Sequence, residues 1–426
     1  MSRYVLSTCA ALAILFPSLQ AGLPRPVTVR SLVEGALANN AELKSLEAEV
    51  DAAIGQRAQA GYFKNPEVSL EFGGREVRDS ENLLQGNGTT LRVAVMQTFE
   101  FPGKGTLRKA IANKNLEIAA LGLEQFRLAL AGQVRLLAYQ HVAAEEETRV
   151  AESIYRLSRD VSAEPAGQPE LGARQKLEIQ LVQAGMVELA ERIKSASLRS
   201  EETRMRLNAL VGRPQAHPLL IADPLRPPSV SMDPASLVLA AQQHNLLLKI
   251  RRVELERSAR EVTAARLDIA PDFSIGPFFS RDVAGDIEQN FGGAVSASVP
   301  LWDWNLGNIQ SAKARRSAAE ALRVKGERDA EAQILTLLKA GELTRRQLDM
   351  MPAGLLDRLQ EGSGIAEAQF RSGAIGAQLY IDSQSAYLDS LRISHAAILD
   401  AWRIFLDIGL LSGVEVDQLP QRKSLP

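Results

Sequence analysis

The stretch Ser31–Ser69, SLVEGALANNAELKSLEAEVDAAIGQRAQAGYFKNPEVS, returns in diverged form 205 positions later as Ser236–Ser274, SLVLAAQQHNLLLKIRRVELERSAREVTAARLDIAPDFS. In one ungapped register, Ser31, Leu32, Ala36, Asn40, Leu43, Lys44, Glu49, Ala60, Pro66 and Ser69 fall on Ser236, Leu237, Ala241, Asn245, Leu248, Lys249, Glu254, Ala265, Pro271 and Ser274. A repeat of this period decides the architecture, because each copy has to build the same supersecondary unit. Each half carries the same order: a helix, two short strands, a very long helix and a second long helix.

Working outward from the repeat, residues 27–62 read as helix, stopped by Lys64-Asn65-Pro66. Beyond it Val68, Leu70 and Phe72 alternate with Glu67, Ser69 and Glu71, the period-2 pattern of a strand with one apolar and one polar face. A polar loop over 78–88 leads to a second alternating run, with Leu91, Val93 and Val95 on one side. The strands are expected at about 66–77 and 89–99. In the second half they are expected at about 271–281 and 291–300, with a loop over 282–290. Each is about as long as a tilted strand needs to cross a bilayer.

The helices between are unusually long, at about 104–162 and 170–211, then about 305–370 and 376–411. From Gly103 to Glu164 there is no proline across 62 residues, enough for a rod of about 90 Å. The returning helix carries a seam, Ile179, Val182, Met186, Leu189, Ile193, Ala196, Ser200, Thr203, Leu207 and Leu210, whose spacings of three and four are those of coiled-coil packing. Ile381, Leu388, Leu391, Ile398, Trp402 and Phe405 form its counterpart, interrupted by Gln384 and His395. The first structural unit is therefore 22–213 and the second 235–413. A proline-rich linker, 214–234, joins them, and a tail follows at 414–426.

Met1–Ala21 has a positive start, an apolar stretch and a small-residue exit, and reads as a secretory signal peptide. The only cysteine, Cys9, falls inside it, so the exported chain is expected to rely on packing without disulfides. No later run of 18 apolar residues exists. With 49 Lys and Arg against 51 Asp and Glu the formal net charge is −2, which leaves no electrostatic footprint for nucleic acid.

No nucleophile–base set, phosphate loop or pair of catalytic carboxylates is recognisable, so no enzymatic activity, cofactor or metal site is expected. His141, His217, His244 and His395 lack ligand-like spacing and read as surface or packing residues. Glu145-Glu146-Glu147 reads as a solvated helix face. Trp302 and Trp304 suit either a membrane-interface girdle or local packing.

Four strands cannot close a barrel alone, because open edges leave backbone groups unsatisfied in lipid. The strand-to-helix junctions read Gln97-Thr98-Phe99-Glu100-Phe101-Pro102-Gly103-Lys104-Gly105 and, 202 positions on, Val299-Pro300-Leu301-Trp302-Asp303-Trp304-Asn305-Leu306-Gly307. In these junctions, the duplication and the strand pairs set into long hairpins, the chain resembles the TolC-type outer-membrane efflux factors over nearly all of its length. The first junction is most similar to the branch serving heavy-metal cation efflux. Pro102, Gly103, Gly105, Pro300 and Gly307 are the corner residues this resemblance points to.

The resemblance implies a mainly α fold with a transmembrane β-barrel: a homotrimer closing a 12-stranded barrel in outer-membrane lipid above a periplasmic tunnel of coiled-coil hairpins. It implies a passive conduit, served by a periplasmic adaptor and by an inner-membrane pump driven by protons or ATP. At the inner end, Ser372-Gly373-Ala374-Ile375 and Leu379-Tyr380-Ile381-Asp382 resemble the family's periplasmic mouth. Gly373 and Asp382 stand at gate positions; Leu379 stands where some members carry a second acid, and the first half offers Lys176. A soluble periplasmic coiled-coil adaptor or scaffold is the alternative, which accounts for the heptads but not for the strands.

Overall fold

The protein is described by a computed structural model over residues 26–163, 172–228 and 234–413. The proposed signal peptide, Gly167 and the tail lie outside the described residues, as do five residues of the linker. The first half consists of α1 (Val29–Asn39), α2 (Ala41–Gln59), β1 (Glu67–Arg78), β2 (Leu84–Phe99), α3 (Lys104–Ala163) and α4 (Ala173–Val211). The second half consists of α5 (Pro234–His244), α6 (Leu246–Leu267), β3 (Phe273–Ala284), β4 (Asp286–Ala297), α7 (Leu306–Met350), α8 (Leu355–Arg371) and α9 (Ala377–Ser412).

The expected helix over 27–62 is two helices, and the repeated asparagine explains the break. Asn40 accepts the Leu43 amide on Oδ1 at 3.0 Å and donates from Nδ2 to the Leu210 carbonyl at 3.2 Å. Asn245 does the same with Leu248 at 2.9 Å and Leu411 at 2.8 Å. One side chain thus caps a new helix and satisfies the end of the returning one. Both returning helices stop on a left-handed glycine, Gly212 (φ 75°) and Gly413 (φ 65°).

The expected helix over 305–370 is also divided. Pro352 has no amide to continue the ladder of α7, and Gly354, at φ 67°, turns the chain into α8. The two expected loops shrink to hairpin turns. β2 begins at Leu84 and pairs with β1 out to Arg78, and Gly285 (φ 95°) alone separates β3 from β4. Residues read as loop for their polarity are paired strand ends. The last strand ends at Ala297, three residues short of its expected end at Pro300.

The four strands form one antiparallel sheet in the order β1-β2-β3-β4, so the two halves meet at β2–β3, and β1 and β4 are its outer strands. The 60-residue α3 is about 90 Å long at 1.5 Å per residue. It packs against α1, α2, α4, α6 and α9 along its length. Apolar burial is divided among separate clusters strung along these helices. One joins Leu32, Leu43, Leu130, Val134 and Leu207; another joins Ala151, Ile154, Leu189 and Leu388. The seam of α4 faces inward: Val182, Leu189, Ala196 and Leu207 are buried and its other members are half-buried. Each such leucine contributes about 1.5–3 kcal/mol on burial. A chain with this layout holds together piece by piece along a rod.

Candidate functional site

The strand register sorts the sheet into two chemically distinct faces. Val68, Leu70 and Phe72 on β1 lie beside Val95, Val93 and Leu91 on β2. Phe99 and Val93 continue to Phe273 and Phe279 on β3, and these to Ala297 and Phe291 on β4. This face is mostly apolar and uncovered, with Phe291 90% and Phe72 77% exposed; its polar members include Gln97 and, toward the hairpin turns, Glu76, Arg281 and Gln289. The opposite face carries Ser69, Glu71, Thr90, Arg92, Ser280, Asp282 and Glu288. An apolar band beside a polar face is the arrangement of a strand pair between hydrocarbon and an aqueous lumen. No helix among the described residues is long and apolar enough to cross a membrane.

At the first junction only one of the quoted glycines is required by geometry. Gly103 has φ 102°, and a Cβ there would stand 3.1 Å from the Leu267 side chain. Gly105 and Gly307 lie in the first turns of α3 and α7 at ordinary φ, with open or ordinary space around them. The counterpart of Gly103 is Asn305, also left-handed at φ 54°, whose amide donates to the Ala265 carbonyl at 2.8 Å. Pro102 and Pro300 lie between strand and helix, where a missing amide breaks no ladder.

Sequence reasoning missed Asp272, which ties this corner together. Its carboxylate accepts from Lys104 Nζ at 2.8 Å, Lys64 Nζ at 3.2 Å and the Phe101 amide at 3.2 Å. Burial works against its charge, but these donors outweigh it and bring the pKa down from 3.8 to about 2. The signal was present in Asp272 following the repeated Pro271, but its partners are 168 and more residues away.

At the inner end, Gly373 (φ 74°) closes α8: its amide donates to Phe370 O and that of Ala374 to Gln369 O, the paired bonds of a Schellman stop. Asp382 is exposed one turn into α9 and accepts from Gln378 Nε2 at 2.8 Å. Lys176 is exposed near the start of α4. Tyr380, in the first turn of α9, is buried, stacked on Phe370 with centroids 5.2 Å apart, and its hydroxyl lies 2.9 Å from Ser158 Oγ. Gln384 bonds Ser363 through both its amide atoms, at 2.6 and 3.1 Å. These contacts hold α8 and α9 to each other and to the end of α3.

The triple-glutamate run and two of the histidines correct the expectation of a solvated face and scattered surface residues. His395 on α9 is 4% exposed, and Glu146 and Glu147 on α3 flank it. Glu147 also meets Arg199 of α4 at 2.5 Å. His141 is fully buried, with Nδ1 3.2 Å from Thr203 Oγ1 and Nε2 3.5 Å from Glu145. Beside them Tyr139 stacks on Trp402 at 4.4 Å. The result is a polar belt joining α3, α4 and α9 partway along the rod. Among the described residues no group of three or more His, Cys, Asp or Glu is placed to hold a metal ion.

No family model matches the sequence. It is 26% identical over 325 residues to the nickel-cobalt-cadmium resistance protein NccC of Alcaligenes xylosoxydans xylosoxydans, covering 74% of this chain and 70% of that one. It is 23% identical over 406 residues to the cobalt-zinc-cadmium resistance protein CzcC of Cupriavidus metallidurans, covering 92% and 90%. Among solved structures it superposes on the Neisseria gonorrhoeae MtrE outer-membrane channel with a TM-score of 0.73 at 15% identity, over 91% of this chain and 89% of that one. The Campylobacter jejuni CmeC outer-membrane channel gives 0.72 at 16%, over 92% and 87%. CusC, a transmembrane channel, gives 0.69 at 15%, over 91% and 95%. In fold and in its duplicated order of elements, the chain is similar to these outer-membrane channels.

Proposed function

We propose that three copies of this chain close a 12-stranded barrel in the outer membrane and a helical tunnel beneath it. Through this conduit a substrate delivered by an inner-membrane pump and a periplasmic adaptor leaves the cell. The observation that carries this reading is the four-stranded sheet, apolar on one face and polar on the other, mounted on helices of up to 60 residues. Its two outer strands need partners in lipid, and a further copy supplies them on both sides. A soluble scaffold has no use for an uncovered face bearing Phe72 and Phe291.

The cargo proposed is a divalent heavy-metal cation, after the resistance proteins NccC and CzcC. Asp382 is the proposed inner gate. Three copies would bring three exposed carboxylates toward one axis, where they attract cations. The chain's part is passive, and the driving energy belongs to the pump.

Cell fractionation and planar-bilayer recording test this reading together. The expected result is an SDS-resistant trimer extracted from outer membrane by detergent, whose cation preference falls in Asp382→Ala. Recovery in the detergent-free periplasmic fraction overturns the channel. Unchanged cation preference in Asp382→Ala overturns the gate alone.

A further inference from the structure

The polar face of the sheet is not uniformly polar, and the register resolves it into rows. Near the hairpin turns, one row holds Arg75, Gly88, Ala284 and Asp286; the next holds Gly73, Thr90, Asp282 and Glu288; the third holds Glu71, Arg92, Ser280 and Asn290. The rows nearer the helices hold small or hydroxyl residues, apart from Phe278, Met96 and Glu67. Charge is therefore concentrated at the turn end of the face.

It is also arranged. The Arg75 guanidinium reaches across β2, where its partner Gly88 offers no side chain to block it, and meets Asp282 at 2.8 Å and Glu288 at 3.0 Å. Thr90 donates its hydroxyl to the same Asp282. One row deeper, Arg92 sits 4.7 Å above the Phe278 ring, which itself lies close over Gly292. That contact holds a second fixed positive charge against the wall. With four carboxylates and two guanidinium groups, these rows carry a net charge of −2 per chain.

We infer that these rows are an ion-selectivity filter at the outer mouth, distinct from the inner gate, and that Arg75, clamped between Asp282 and Glu288, sets how strongly the mouth prefers cations. The inference rests on the channel reading above. Three copies would place a net charge of −6 around one opening, within reach of passing ions across a Debye length of about 8 Å. The chemical class favoured is a small hydrated cation. Arg75 limits the preference by cancelling one of the two negative charges of Asp282 and Glu288, so that a cation entering the mouth is attracted without being held.

The test is reversal potential in a planar bilayer under a KCl gradient, in an Asp382→Ala background so that the inner carboxylates do not contribute. Arg75→Gln is expected to raise the cation-to-anion permeability ratio at least twofold. Glu288→Gln is expected to lower it, and Arg75→Lys to leave it near the parent value. SDS-resistant trimers confirm assembly of each variant. If conducting parent and variants share one reversal potential, the filter is overturned while the channel stands. If the parent does not conduct, the channel reading falls, and the filter with it.

Discussion

His395 and Glu146 join the second half of the chain to the first, with imidazole Nε2 3.3 Å from the carboxylate Oε2. Nδ1 of the same ring lies 3.7 Å from Glu147, an ion-pair distance beyond hydrogen-bond range. Burial opposes the imidazolium, but the two carboxylates outweigh it and raise the pKa from 6.5 to about 9. The same contact to His395 lowers the Glu146 carboxyl, and His395 with Arg199 lowers that of Glu147 against its burial.

The belt therefore stabilises the fold between the carboxylate range and about pH 9. The histidine contribution is complete below 6.5 and lost as pH rises through about 9, because the folded state binds the proton more tightly. The carboxylate contribution is lost on acidification. The thermal unfolding midpoint of the wild type is expected to fall between pH 6.5 and pH 9 more steeply than that of His395→Gln. At pH 7 the variant is expected to lose about 1–3 kcal/mol, the cost of leaving buried partners unsatisfied. Parallel pH profiles for the two proteins would remove the belt from the account.

Asp272 works in the opposite direction. Its folded pKa of about 2 lies below 3.8, so its contribution is present above 3.8 and lost as pH falls through about 2. Solvent around Lys64 screens the cluster, which leaves about 1 kcal/mol for Asp272→Asn. The expected readout is a lower midpoint in denaturant at pH 7 and no difference from wild type near pH 2.

Gly103→Ala is expected to cost about 1–3 kcal/mol, since it imposes a side chain at φ 102° and against Leu267. Gly105→Ala and Gly307→Ala lie in the first helical turns and are expected to be neutral or stabilising by up to about 1 kcal/mol. Heat-dependent trimer dissociation on gels ranks the three. Equal losses at all three positions would contradict the assignment of strain to Gly103.

On the apolar face, Phe291→Arg is expected to cost about 2–4 kcal/mol in lipid and to reduce the outer-membrane yield. Ser280→Arg, on the opposite face of the neighbouring strand, is expected to assemble normally. The comparison is made by quantifying folded, heat-modifiable protein in outer-membrane fractions. Equal yields would mean that the two faces do not see different solvents.

Much of this architecture was legible in local pattern. Val68, Leu70 and Phe72 alternating with Glu67, Ser69 and Glu71 marked both the strand and its apolar face, because the pleat has a period of two. The heptad seam ending at Leu210 marked the inward face of α4 for the same kind of reason. Strand ends were less legible. Asp282 and Glu288 carry the polarity of a loop and fall in the expected loop over 282–290, yet they pair with each other, because the ladder is made by backbone groups that every side chain leaves in place.

The sequence by itself determined the duplication, the order of elements, the two faces of the sheet and the corners between strand and helix. All of these follow from spacing along one segment and from the backbone demands of proline and glycine. Tertiary structure alone decided the meaning of the repeated Asn40 and Asn245, each of which caps one helix while satisfying the end of another about 170 residues away. It alone turned Glu146, Glu147 and His395 from a polar run and an isolated ring into one charged belt, and brought Asp272 to Lys104 and Arg75 to Glu288. Those pairs lie between elements far apart in the chain, and their energies come from distance and burial, which no one-dimensional pattern encodes.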